Sequence, residues 1–198
     1  GIDCGHGLPT PARRVWKSFD KNETQEWTLN DRVGRYVEEL LKEYEGYELY
    51  RLDDRTGKRD IPLRERSNKA NKLNLDILIS IHHDVGIYGG EGGGVSTFRY
   101  LYTKKVSKAL QERFYNSIVK ENKLKGNRSN PINLENFHIL RETIAPALLV
   151  ECGFMDSKVD APIIITDEYS KKTARGIVNF LVNEFKLKKK KKNNQIKV

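Results

Sequence analysis

Ile77-Leu78-Ile79-Ser80-Ile81 is a short apolar run rich in β-branched residues. Such a run is typical of a strand that is covered on both faces, as in the middle of a parallel sheet. Ala147-Leu148-Leu149-Val150 has the same character and predicts a second buried strand. Strand-like and helix-like segments alternate around both runs. This alternation predicts a three-layer α/β/α domain with a mostly parallel central sheet.

The other elements follow from apolar spacing and from turn residues. Leu29 to Leu41 repeat with helical period, so a first helix is expected from Glu26 onward. Further helices are predicted at residues 60–73, with Asp60 as the N-cap, and at residues 104–121 and 168–185. Strands are predicted at residues 1–4, 47–52, 95–100 and 137–140, and a glycine-rich loop at residues 86–94.

Length and charge place most of the chain in one domain. The chain has 198 residues and a formal charge of +9, but residues 186–198 hold seven lysines and no acidic residue. Residues 1–185 therefore carry only +2, which argues against a nucleic-acid-binding protein. We predict a folded domain over residues 1–185 and a Lys-rich tail or linker over residues 186–198.

No stretch approaches the roughly 18 apolar residues of a membrane span. Cys4 and Cys152 are expected to be core thiols.

Four side chains suited to metal or proton chemistry stand beside predicted strand ends or open a helix. His6 lies between two glycines after the first strand, and His82 and Glu151 each follow one of the two buried runs. Glu26 opens the first long helix. Functional side chains gather at the carboxyl ends of such strands. Two imidazole nitrogens and one carboxylate oxygen suit zinc better than magnesium or calcium, which prefer oxygen ligands. A second carboxylate would then be free to act as a base.

Each of these residues also has an explanation without a metal. His6 fits an ordinary loop histidine, and His82 fits a hydrogen-bonded histidine at a strand end. Glu26 fits a first-turn acid that complements the helix dipole. Glu151 fits a strand-end acid paired with an arginine. Taken together the four favour a metallohydrolase, and a carboxylate that emerges from an apolar run has the raised pKa that suits a general base.

The order of these motifs resembles that of the zinc-dependent N-acetylmuramoyl-L-alanine amidases, the catalytic domains of bacterial autolysins and phage endolysins. The resemblance covers residues 1–185. It rests on Asp3-Cys4-Gly5-His6-Gly7, on Glu26 to Asn30, on Ser80-Ile81-His82 and on Pro146-Ala147-Leu148-Leu149-Val150-Glu151-Cys152-Gly153-Phe154, with further matches at Leu63-x-x-Arg66-x-x-x-Ala70-Asn71 and Phe137 to Arg141. Asp84 stands where the family often has asparagine, and the loop at residues 86–94 has more glycine than expected.

The resemblance implies that His6, Glu26 and His82 hold one Zn²⁺ per chain and that Glu151 is the catalytic carboxylate. It further implies a peptidoglycan hydrolase that cleaves the amide bond between N-acetylmuramic acid and L-alanine. Such an enzyme acts on the bacterial cell wall, either as a secreted autolysin or as a phage lysin released from the host cytoplasm. Arg141 is a candidate for binding substrate.

Several alternatives remain open at this point. One is a zinc peptidase that cuts within the stem peptide, and another is a non-catalytic cell-wall-binding module, which has no need of a base. His83 neighbours a proposed ligand but points to the opposite face of an extended strand, so it is not counted as a ligand. The Lys-rich end is compatible with a C-terminal wall-binding module beyond it.

Overall fold

The structure is a computed structural model that describes residues 1–191. In chain order its elements are β1 (Ile2–Cys4), α1 (Glu26–Leu41), β2 (Tyr44–Glu45), α2 (Leu63–Lys72), β3 (Leu78–Asp84), β4 (Val95–Tyr100), α3 (Lys108–Asn122), β5 (Ile132–Glu135), α4 (His138–Arg141), β6 (Ala147–Phe154), α5 (Ala161–Ile164), α6 (Asp167–Phe185) and β7 (Lys188–Lys189).

Five strands form the central sheet, in the order β1-β3-β6-β4-β5. The pairs β1–β3, β3–β6 and β4–β5 are parallel, and only β6–β4 is antiparallel. The predicted mostly parallel sheet is therefore confirmed. β3 and β6 lie in the interior of the sheet, which explains why their sequences are apolar on both faces. β2 and β7 form a separate antiparallel pair.

Helices cover both faces of the sheet, so the predicted three-layer arrangement is also confirmed. One face carries the larger core, which joins residues of α1, α3 and α6 with alternate residues of β3 and β6, including Ile79, Ile81, Leu148 and Val150. On this face α1 packs against β3, α3 packs against β4, and α6 packs against α1 and α3. The other face carries a smaller core, in which Leu78 and Leu149 face the short helices α2 and α4. This second layer is thin because its helices have ten and four residues.

Three local predictions were wrong. Residues 137–140 are not a strand, because α4 begins at His138 and places both Ile139 and Leu140 in the smaller core. A four-residue apolar run has no periodicity that separates the two cases. Residues 47–52 form no strand of the central sheet, although an isolated bridge joins Arg51 to Ile2. The N-cap of α2 is Pro62 and not Asp60.

The remaining predictions agree with the structure within a few residues at the helix ends. The loop at residues 86–94 is confirmed, whereas β5 and α5 were not predicted. Cys4 and Cys152 are free and buried, as expected of core thiols. Within residues 1–191, no helix has the length and apolar character needed to cross a membrane. Lys188 and Lys189 of the predicted tail pair with β2, and residues 192–198 lie outside the described part of the chain.

Candidate metal centre

His6 lies in the turn that follows β1, and its backbone is held in an uncommon conformation. Its φ is 68°, in the left-handed region that few non-glycine residues adopt. The buried guanidinium of Arg66 donates to the carbonyls of His6 and Cys4, at 2.8 and 2.7 Å. A Cβ on Gly5 would lie 2.0 Å from the His82 ring. Glycine at position 5 therefore lets the two imidazoles approach, and their ring centroids lie 5.1 Å apart.

His82 and Glu151 lie side by side because of strand register and pleating. They are paired across β3 and β6, where the chains run parallel. Since side chains alternate between the faces, both continue the rows that face the thin α2–α4 layer. That layer is too short to cover them, so they are only partly buried. Both lie inside their strands, because β3 and β6 continue a few residues beyond the ends that the sequence predicted.

Glu26, the first residue of α1, completes the cluster. Its side chain is almost fully buried, with Oε1 3.0 Å from His82 Nδ1 and Oε2 3.2 Å from His6 Nε2. The ligand atoms of His6, Glu26 and His82 all lie within 4.8 Å of one another. Burial raises the pKa of Glu26, but the hydrogen bonds and charges of the two histidines outweigh it and lower the pKa below its usual value. The group is therefore an ionised carboxylate.

The geometry of these atoms fits a tetrahedral zinc ion. Zinc bonds of about 2.0–2.1 Å to nitrogen and oxygen place neighbouring ligand atoms about 3.3 Å apart. The observed separations of 3.0 and 3.2 Å between imidazole nitrogen and carboxylate oxygen are close to that value. Glu26 Oε2 is buried, and its nearest polar neighbours in the described chain are His6 Nε2 at 3.2 Å and the Arg13 guanidinium at 3.8 Å. Three protein ligands leave the fourth position of such an ion open.

Asn30 lies one helical turn after Glu26 and fixes the surroundings of the cluster. Its amide donates to the Gly5 carbonyl at 3.1 Å and to Glu26 Oε1 at 3.4 Å. Its Oδ1 lies 2.7 Å from His83 Nδ1. Burial lowers the pKa of His83 to about 3, so the ring is neutral and Nδ1 donates to Asn30. His83 thus lies outside the ligand cluster, where the sequence placed it, whereas the role of Asn30 was not predicted.

Glu151 has the properties of a proton-transfer group. Its Oε2 is buried without a hydrogen-bond partner among the described residues. Burial, followed by the negative charges of Glu26 and Asp84, raises the pKa of Glu151 well above its ordinary value, and Arg13 and Arg128 partly oppose that rise. A divalent cation at the neighbouring cluster acts in the opposite direction and favours the carboxylate. Glu151 therefore holds or releases a proton according to what occupies the site.

Arg141 does not join this group through any contact in the described chain. It ends α4, where its guanidinium bonds Glu142 Oε1 at 2.6 Å and Asn136 Oδ1 at 2.8 Å. Its assignment as a substrate-binding residue stays a prediction.

A second cluster, of Cys4, Asp31 and Asp53, also has the spacing of metal ligands. It already contains a cation, because Arg51 Nη2 lies 2.8 Å from Asp31 Oδ1 and 2.7 Å from Asp53 Oδ2. This cluster is a buried ion-pair network that ties α1 to the segment beside β1.

Comparison with known proteins identifies the family to which the chain belongs. The sequence model of the N-acetylmuramoyl-L-alanine amidase family (Amidase_3) matches residues 1–183. The sporulation-specific N-acetylmuramoyl-L-alanine amidase of Bacillus subtilis (strain 168) is 32% identical over 200 residues, which cover 100% of this chain and 72% of the relative. The N-acetylmuramoyl-L-alanine amidase CwlM of Bacillus licheniformis is 32% identical over 95% of this chain and 69% of its own length.

A solved structure shows the same fold. The N-acetylmuramoyl-L-alanine amidase of Clostridium difficile 630 superposes with a TM-score of 0.79 at 27% identity, over 93% of this chain and 95% of that one. The family model and the relatives span nearly the whole described chain, including all four predicted residues of the site. The chain therefore belongs to the N-acetylmuramoyl-L-alanine amidase family.

Proposed function

We propose that this chain is a zinc-dependent N-acetylmuramoyl-L-alanine amidase, which hydrolyses the amide bond between N-acetylmuramic acid and L-alanine in peptidoglycan. Membership of the family supports the identity of the cleaved bond. The residues of the site support hydrolysis with a metal ion and a base. The observation that carries the proposal is the convergence of the ligand atoms of His6, Glu26 and His82 within 4.8 Å, next to Glu151, which is paired with His82 across β3 and β6 and has a buried Oε2. A wall-binding module has no need of this combination.

The residues present divide the reaction between them. His6, Glu26 and His82 are the proposed ligands of one Zn²⁺, which when bound supplies a Lewis acid that acidifies water and polarises the amide carbonyl. Glu151 takes a proton from the attacking water, whose oxygen adds to the lactyl carbonyl carbon. Glu151 then delivers that proton to the alanine nitrogen as the carbon–nitrogen bond breaks. The products are a lactyl carboxylate on the glycan and a free amine on the peptide.

The wider assignments follow from the same proposal. The partner is bacterial peptidoglycan, and the place of action is the cell wall, reached either by secretion or by release from a phage-infected cell. Residues 1–185 are proposed as the catalytic domain and residues 186–198 as a Lys-rich tail or linker. β7 lies within the start of that tail and pairs with β2, which supports attachment of its first residues to the domain.

Identification of the bond that is cleaved tests this function directly. Purified peptidoglycan is digested with the zinc-loaded protein, and the products are separated and analysed by mass spectrometry. We expect free L-alanine amino termini and glycans that end in an intact lactyl carboxylate. Glu151→Gln keeps the size of the side chain and should slow the reaction by about 10²–10⁴-fold. New termini only within the stem peptide would instead show a peptidase, and binding without products would show a wall-binding module.

A further inference from the structure

Arg128 is a cation at the entrance to the proposed active site that the mechanism above does not use. It lies in the loop between α3 and β5, and its Cζ is 5.1 Å from the centroid of the Phe154 ring. Phe154 ends β6 and is paired with Asp84, the last residue of β3. Arg128 therefore lies at the ends of the two strands that carry His82 and Glu151. Its charge also opposes the rise in pKa of both Asp84 and Glu151.

The guanidinium of Arg128 is available for a ligand. Among residues 1–191 it makes no hydrogen bond and no ion pair, and its side chain is exposed. Stacking on an aromatic face fixes the plane of a guanidinium but leaves the N–H donors at its edge free. Arg128 is thus oriented by Phe154 without being neutralised by a carboxylate of the protein.

Close backbone packing holds the Arg128 loop in place. A Cβ on Gly94 would lie 2.4 Å from the Lys125 carbonyl oxygen, and a Cβ on Gly126 would lie 2.0 Å from the Gly93 carbonyl oxygen. The Gly93 amide donates to Asn127 Oδ1 at 3.2 Å. Gly94 and Gly126 also have positive φ values, of 101° and 67°. Glycine at positions 94 and 126 is therefore required for this contact, which fixes the loop one residue before Arg128.

We propose that Arg128 is a specificity residue that binds a carboxylate of the stem peptide, on the leaving-group side of the scissile amide. The proposal rests on the proposed function and names the part of the substrate that this cation recognises. Guanidinium and carboxylate form paired hydrogen bonds of matching geometry. In the intact substrate the lactyl carboxyl of N-acetylmuramic acid is part of the scissile amide and carries no charge, whereas stem peptides carry carboxylates beyond the first alanine.

The test compares two muramoyl peptides of equal length whose second residue carries either a free carboxylate or its amide. For Arg128→Gln we expect kcat/KM to fall about 10- to 100-fold on the acidic substrate, mainly through KM, because a charge-assisted pair is lost. On the amide substrate the same variant should stay close to wild type. Arg128→Lys should recover part of the loss. Arg175→Gln, which removes an arginine of α6 that has no ion pair in the described chain, should match wild type on both.

A binding measurement separates failure of this inference from failure of the proposed function. Calorimetry with the free acidic peptide and with its amide, on wild type and Arg128→Gln, reports recognition without turnover. Tighter binding of the acidic peptide that disappears in the variant supports the proposal even if neither substrate is cleaved. Equal losses of kcat/KM on both substrates would overturn it, because Arg128 would then act on the carboxyl groups of Asp84 and Glu151 and not on the peptide carboxylate. Arg128-dependent binding of N-acetylmuramic acid alone would also overturn it, since the recognised carboxylate would be lactyl.

Discussion

Arg66 connects the interior of the fold to the loop that carries a proposed zinc ligand. The side chain is 1% exposed. Its Nη1 donates to Asp3 Oδ1 and to the Cys4 carbonyl, both at 2.7 Å, and its Nη2 donates to the His6 carbonyl at 2.8 Å. Its Nε donates to the Ile61 carbonyl at 2.7 Å. Replacement of Arg66 by methionine keeps much of the volume but removes all of these donors.

The expected cost follows from the charge that Arg66→Met leaves behind. Asp3 is 1% exposed, so its carboxylate would remain buried without its cation. Breaking one partner of a buried ion pair costs about 3–5 kcal/mol. For a domain of this length, 1 kcal/mol corresponds to about 2–4 °C in Tm, so we expect a fall of about 10 °C. The His6 backbone also loses an anchor, so zinc affinity should fall by about 10- to 100-fold.

Thermal unfolding followed by circular dichroism, with a chelator present, measures the fold without the contribution of bound metal. Arg64→Met is the matched control, because Arg64 is an exposed arginine of the same helix. The double variant Asp3→Asn/Arg66→Met should regain part of the lost stability, since the uncompensated charge is gone. A Tm for Arg66→Met within about 2 °C of the Arg64→Met value would refute this reasoning.

Three further predictions concern the cluster and the ion-pair network. Gly5→Ala should abolish zinc binding, because the new Cβ would lie 2.0 Å from the His82 ring; unchanged zinc content by elemental analysis would contradict this. Asn30→Ala should weaken zinc binding by about 10- to 100-fold in chelator competition, because the Asn30 amide donates to the proposed ligand Glu26 and to the carbonyl of Gly5. Equal zinc affinity in wild type and variant would show that the amide is dispensable. Burial raises the pKa of Asp53, but hydrogen bonds from Arg51 outweigh it and lower the folded value. Asp53 therefore stabilises the fold above its unfolded pKa, and this contribution is lost as the pH falls through the folded value. Asp53→Asn should cost about 2 kcal/mol at pH 7 and progressively less toward pH 3 in urea unfolding; a constant difference would contradict the ion-pair explanation.

The central features of the fold could be predicted from sequence because their patterns are long or fully apolar. β3 and β6 are apolar on both faces, which only the interior of a covered sheet explains. α1 and α6 each have several turns of helical spacing. The positions of His6, His82 and Glu151 at predicted strand ends indicated that they share one edge of the sheet, whereas the inclusion of Glu26 came from the resemblance to the family. The assignment of His6, Glu26 and His82 as zinc ligands, like that of Glu151 as the base, stays a prediction.

What could not be predicted depends on contacts between distant parts of the chain. α4 follows a run that is too short to show a period, and only its packing against the smaller core decides the helix. Asn30 had a usable signal, because it lies one turn after Glu26 on α1. Arg66 belongs to one of the motifs that carry the resemblance, but its contacts, like those of Arg128, could not be predicted because their partners lie elsewhere in the sequence. The left-handed φ of His6 had no signal in the sequence either.

The most direct test of the zinc centre is a measurement of zinc content and peptidoglycan hydrolysis on the same samples of wild type, His82→Ala and Glu151→Gln. We expect about one zinc per chain and full activity in wild type, neither in His82→Ala, and zinc without activity in Glu151→Gln. Wild-type protein that cleaves peptidoglycan while free of metal, or Glu151→Gln with near-normal turnover, would contradict the central claim.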